Sequence, residues 1–149
     1  MKVAIASDHG GITIRKEIIS LLEEMNVDYI DLGCECQSSV DYSDYAVPVA
    51  EMVAKGEVER GILVCGTGIG MSIAANKVKG IRCALVHDTF SAKATREHNN
   101  SNILAMGERV IGPGLARDIT KIWLTTSFEE GERHENRIRK VTELEMQYR

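Results

Sequence analysis

Short β-forming runs recur along the chain with helical periods between them, and this alternation limits the fold more than any other feature. The runs are Lys2 to Ser7, Val27 to Leu32, Arg60 to Cys65, Ile81 to Val86 and a weaker one from Asn102 to Met106. The first, third and fourth are nearly continuous apolar stretches, the pattern of strands covered by helices on both faces of a parallel sheet. Between them Ile14, Ile18, Leu21, Leu22 and Met25 recur at helical spacing, as do Ala46, Val49, Ala50 and Val53. Ser43 and Asp44 offer N-cap chemistry to the second helix, with Pro48 tolerated only near its first turn. Gly112-Pro113-Gly114 breaks the chain before a helix carrying Leu115, Ile119, Ile122 and Trp123. From Glu132 to Tyr148 the chain is charged, with Ile138, Val141 and Leu144 as a thin apolar stripe, so this helix is expected to dock on a neighbour.

The pattern predicts one α/β domain over residues 1–149, an open twisted parallel sheet of about five strands with helices on both faces. Its ligand site is expected beyond the carboxyl ends of the strands. Three strands lead there into polar or glycine-rich sequence: Ser7-Asp8-His9-Gly10-Gly11, Cys65-Gly66-Thr67-Gly68-Ile69-Gly70 and His87-Asp88-Thr89.

Composition narrows the partners. A formal net charge of −4 gives no general attraction to nucleic acid or to an anionic membrane, so a phosphate must be held locally. No apolar run approaches a membrane span, and the start MKVAIASDHGG lacks the apolar core of an export signal, so a cytoplasmic chain is expected. Cys34, Cys36, Cys65 and Cys83 are then expected as thiols. Cys34-Glu35-Cys36 lacks the spacing of a zinc knuckle, and no second pair accompanies it, so no metal is expected.

The loop after Cys65 has glycine at every second position, which lets backbone N–H groups approach an anion closely. It has neither the spacing of a dinucleotide fingerprint nor the Lys-Ser/Thr pair of a P-loop, which disfavours NAD and ATP. On an apolar strand Cys65 reads first as a small buried hydrophobe; next to this loop it reads also as a thiolate base or nucleophile. His9 and His98 are each capping residues or acid–base groups, and both are expected at the sheet edge that carries Cys65. Arg133 and Arg137, four apart, share a helical face that suits a phosphate or a solvated ion-pair row with Glu132 and Glu135. Arg109 carries the same two readings.

Taken together, the blocks Ser7-Asp8-His9-Gly10-Gly11, Asp41-Tyr42, Gly61 to Lys77, Arg96-Glu97-His98-Asn99, Asn102 to Gly107 and Gly131 to Arg137 give the whole chain a resemblance to ribose-5-phosphate isomerase type B. That family is shared with the galactose-6-phosphate isomerase subunits. The resemblance implies a Rossmann-like homodimer, or a dimer of dimers, that interconverts ribose 5-phosphate and ribulose 5-phosphate in the pentose phosphate pathway with no cofactor. It implies that Cys65 moves the proton at C2, that His98 assists opening of the furanose ring, and that Thr67 supports ring opening or orientation. The backbone of Gly66, Thr67, Gly68, Ile69 and Gly70 is then an anion hole. Asp8 and Asn99 hold sugar oxygens with Tyr42 nearby, while His9, Arg109, Arg133 and Arg137 surround the phosphate. Each site is built from both subunits, which gives the C-terminal helix its neighbour. Met71 stands where another branch of the family has a glutamate base, so Cys65 is the base here; Ser43 stands where a proline often follows the tyrosine. A six-carbon substrate, allose 6-phosphate or galactose 6-phosphate, uses the same chemistry, and a noncatalytic sugar-phosphate sensor is the alternative from another class.

Overall fold

Five parallel strands form one sheet in the order β2-β1-β3-β5-β4 in the computed structural model, which describes residues 1–148. The strands are β1 (Lys2–Ser7), β2 (Asp28–Asp31), β3 (Arg60–Cys65), β4 (Cys83–Leu85) and β5 (Ile103–Gly107). The helices between and after them are α1 (Ile12–Glu24), α2 (Ser43–Ala54), α3 (Ile69–Ala75), α4 (Thr89–Asn99), α5 (Pro113–Thr125) and α6 (Glu132–Gln147). From β1 the chain moves outward to β2 on one side, then crosses back to place β3 on the other. The strand order therefore reverses between β1 and β3, and a crevice opens beyond their carboxyl ends.

The two-residue period of the strands divides the core into two layers. Val3, Ile5, Ile62, Val64, Leu104 and Met106 face α1 and α5, where Ile14, Ile18, Leu22, Ile119 and Trp123 pack on them. Ala4, Ala6, Leu63, Cys65, Ile103 and Ala105 face the other way, against Ala46, Val49 and Ala50 of α2 and Met71 and Ala75 of α3. Alanines on this second face let the helices lie close, and Gly61 shows how close: a Cβ there would stand 2.6 Å from Val49 Cγ1.

Three expectations need correction. The apolar run Ile81 to Val86 yields only three strand residues at the sheet edge, with Leu85 39% exposed, whereas the weaker run forms β5, central and buried throughout. A strand's place in the sheet is set by its crossovers, which local apolarity does not record. The N-cap of α2 is Tyr42, not Ser43 or Asp44, and makes no side-chain cap bond; Pro48 lies inside the helix. Cys34 and Cys36 are not separate thiols: their sulfurs lie within bonding distance of each other on the loop after β2, with Cα atoms 5.2 Å apart.

Among the described residues no helix is long and apolar enough to cross a membrane. The last helix, α6, packs on α4 and buries only His134, while Val141 and Leu144 remain more than half exposed.

Candidate active site

At the reversal point the loops after β1 and β3 enclose a cleft of about 240 Å³ lined by Asp8, His9, Gly10, Tyr42, Cys65, Gly66, Thr67, Gly70 and Arg109. Cys65, the last residue of β3, is 5% exposed, and its Sγ accepts the Gly68 N–H at 3.0 Å. Gly68 can aim that N–H because it adopts a left-handed φ of 76°, and a Cβ there would stand 2.8 Å from the Met106 carbonyl carbon. The next N–H, of Ile69, donates to Thr67 Oγ1 at 3.3 Å. Two of the loop's donors are thus turned onto its own side chains, which narrows the expected anion hole.

The walls are equally close. Asp8 is 6% exposed and accepts the Gly10 N–H through Oδ1 at 2.8 Å, which folds the β1 loop towards Gly66. His9 is exposed, and its Nδ1 accepts the Val40 N–H at 3.2 Å. The Arg109 N–H donates to the Gly66 carbonyl at 3.0 Å, and its side chain runs along Gly66, where a Cβ would lie 3.5 Å from Arg109 Cδ. Behind the loop, Gly107 packs on the Thr67 backbone and donates its N–H to His87 Nε2 at 3.0 Å. Burial holds the His87 imidazole below its ordinary pKa, with Asp88 opposing. The other free thiol, Cys83, lies outside this cleft, and burial pushes it up to about 12.

The remaining expected residues are elsewhere. His98, Asn99 and Arg137 line a cavity of about 1010 Å³ between α6, α4 and β4, with Arg133 on the neighbouring turn of α6. The sequence reading places His98 at the edge that carries Cys65, and the structure corrects this. A helix that joins two parallel strands returns the chain to the opposite edge, so the C-terminus of α4 lies where β4 and β5 begin. Arg82, just before β4, donates through Nε to the Asn99 carbonyl at 3.0 Å and marks that position.

Nothing local in the sequence distinguishes His134 from the charged residues around it; only the fold shows its contact with His98. His134 is 6% exposed, its ring stacks on His98 with centroids 4.5 Å apart, and its Nε2 lies 3.3 Å from Arg133 Nη2 and 3.6 Å from Glu129 Oε2. Burial first, then Arg133 and His98, lower its pKa, while Glu129 opposes. Ligand atoms of His98, Glu129 and His134 lie within 4.8 Å of one another, but the Arg133 guanidinium already supplies the cation at this cluster.

A doubly covered parallel sheet with a buried thiol, a glycine loop and a cationic wall at its reversal point defines an α/β enzyme acting on a small anionic substrate. Within that class, the chain belongs to the ribose/galactose isomerase family, whose model matches residues 3–141. It is 73% identical to the putative sugar phosphate isomerase YwlF of Bacillus subtilis (strain 168), over 97% of each chain. It is 45% identical to ribose-5-phosphate isomerase B of Escherichia coli (strain K12), over 97% of this chain and 96% of that one. The solved structure of ribose-5-phosphate isomerase B from Clostridium thermocellum superposes with a TM-score of 0.97, at 49% identity and full coverage of both chains.

Proposed function

We propose that this enzyme interconverts ribose 5-phosphate and ribulose 5-phosphate, with Cys65 as the proton-moving base. The carrying observation is the Cys65 sulfur, fixed by the Gly68 N–H at the floor of a cleft that holds the Arg109 side chain and lies in a chain of this family.

In the open-chain aldose, the thiolate takes the C2 proton and the electron pair moves through C1–C2 onto the aldehyde oxygen, giving an enediolate. The O2 proton passes to O1, and the thiol returns its proton to C1, leaving a ketone at C2. N–H groups already aimed at the developing oxyanion lower this barrier without reorganising, which is the work left to the loop donors beyond Gly68 and Ile69. Asp8 accepts from sugar hydroxyls; His9 and Arg109 suit the phosphate.

The other half of the chemistry comes from a second copy. One chain keeps His98, Asn99, Arg133 and Arg137 at the far edge from Cys65, and α6 exposes Val141 and Leu144 beside a large cavity. A homodimer brings one subunit's ring-opening histidine and two arginines to the other's cleft. His98 then gives a proton to the furanose oxygen as the C1–O4 bond breaks, and the anomeric O1–H loses its proton to solvent as the aldehyde forms.

The test is isomerisation of ribose 5-phosphate in deuterated water with no added cofactor, beside allose 6-phosphate and galactose 6-phosphate. Ketose formation from the pentose with solvent deuterium on carbon supports the proposal. Preferential conversion of a hexose phosphate reassigns the substrate, and conversion of none defeats the isomerase reading.

A further inference from the structure

We propose that His134 is a positioning residue for ring opening, its ring holding His98 in the orientation that delivers a proton to the sugar while its Nε2 holds Arg133. This rests on the assignment of ring opening to His98 above.

His98 is exposed in the last turn of α4, where a lone imidazole would turn among several rotamers. Instead its ring lies against His134, 4.5 Å between centroids and 14° from parallel. The platform is itself fixed. His134 is the one buried residue of α6, and the segment before that helix is tied to α4 by the Glu129 N–H, which donates to the Glu97 carbonyl at 3.1 Å, next to His98 in the chain. Anchoring alone would be met by an apolar side chain, as it is by Ile14 and Ile18 on α1, Val49 on α2 and Ile119 on α5. A flat ring with a nitrogen at its edge does two further things. It restricts His98 to one plane, and it lies 3.3 Å from the Arg133 guanidinium, so that one side chain sets both a proton donor and a phosphate ligand.

Ring opening can be separated from proton abstraction because ribulose 5-phosphate has no furanose form: its ketone needs O5 to close the ring, and O5 carries the phosphate. Exchange of its C1 proton with deuterated water therefore reads Cys65 chemistry alone. The test is to compare the wild type, His98→Ala, His134→Ala and His134→Phe in conversion of ribose 5-phosphate and in C1 exchange on ribulose 5-phosphate. Misplacing a catalytic group by about 1 Å costs up to about a hundredfold, so His134→Ala is expected to lower kcat on ribose 5-phosphate about tenfold or more, with exchange at saturating ribulose 5-phosphate held within about twofold. His134→Phe restores the flat ring but not the edge nitrogen; kcat recovers while KM for ribose 5-phosphate stays raised. Equal losses of both reactions in His134→Ala, or no loss of either, overturn the proposal, as does a failure of His134→Phe to recover kcat. A selective loss in His98→Ala with His134→Ala unaffected overturns it alone. Equal losses in His98→Ala overturn the ring-opening assignment and this proposal with it.

Discussion

The Gly68 N–H donates to Cys65 Sγ at 3.0 Å, so the sulfur at the end of β3 is held by the loop that follows it. This bond sets the thiol's rotamer but carries little of the fold. Cys65→Ala is expected to reduce isomerisation of ribose 5-phosphate by about a thousandfold or more, since a positioned base contributes 10²–10⁴-fold. The thermal midpoint should fall only as far as about 1 kcal/mol requires. Full activity in the variant would remove Cys65 from the mechanism.

Two glycines of the site respond oppositely to alanine. At Gly107 a Cβ would lie 2.5 Å from the Thr67 carbonyl carbon, a backbone atom that cannot step aside. Gly107→Ala is expected to destabilise by about 3 kcal/mol. At Gly70 the Cβ would meet the Tyr42 ring at 2.7 Å, but that ring is 43% exposed and can swing out. Gly70→Ala also gains helix propensity of about 0.5–1 kcal/mol, so stability holds while KM rises. Denaturant unfolding alongside substrate titration separates the two cases.

Subunit mixing tests the division of the site. Cys65→Ala and Arg137→Ala are each expected to be impaired alone. If one subunit's Arg137 serves the other's Cys65, a heterodimer carries both lesions in one site and neither in the other. Random re-pairing of equal amounts makes half the dimers mixed and returns about a quarter of wild-type activity. No recovery, with exchange of subunits verified by mass, would place all the groups within one subunit.

His87 predicts an acid-side loss of stability. Its Nε2 accepts the Gly107 N–H, so the folded ring is neutral, and burial holds its pKa below the ordinary 6.5. As pH falls through 6.5 the unfolded chain takes up the proton first, so stability is complete above that value and declines below it. The lowered pKa of His134 acts in the same direction, with its main cause also burial. His87→Gln keeps an acceptor for Gly107 without a titration. It should flatten part of the fall in thermal midpoint between about pH 6.5 and 5, and an unchanged slope would clear His87 of the effect.

How far the sequence could be read depends on which contacts are local. β1 and β3 run from Lys2–Ser7 and Arg60–Cys65 as read, because strands covered on both faces are continuously apolar. The cleft residues Asp8, His9, Cys65 and Arg109 are legible for a related reason: each ends a strand or lies within two residues of its end, so its place at one sheet edge comes with the strand direction. Which of β4 and β5 lies inside the sheet is not legible from their apolarity, since it depends on a crossover. The place of His98 is not legible in the sequence because it depends on the full length of α4, nor is that of His134, which only the fold lays on His98.

The return path of α4 carries a consequence for abundance and descent. On the roles proposed for Cys65 and His98, a chain that holds these two groups at opposite ends of its sheet is inert by itself, and turnover rises with the square of concentration when the protein is dilute. Two diverged copies, one losing the thiol and the other the arginines, would still make one working centre per pair.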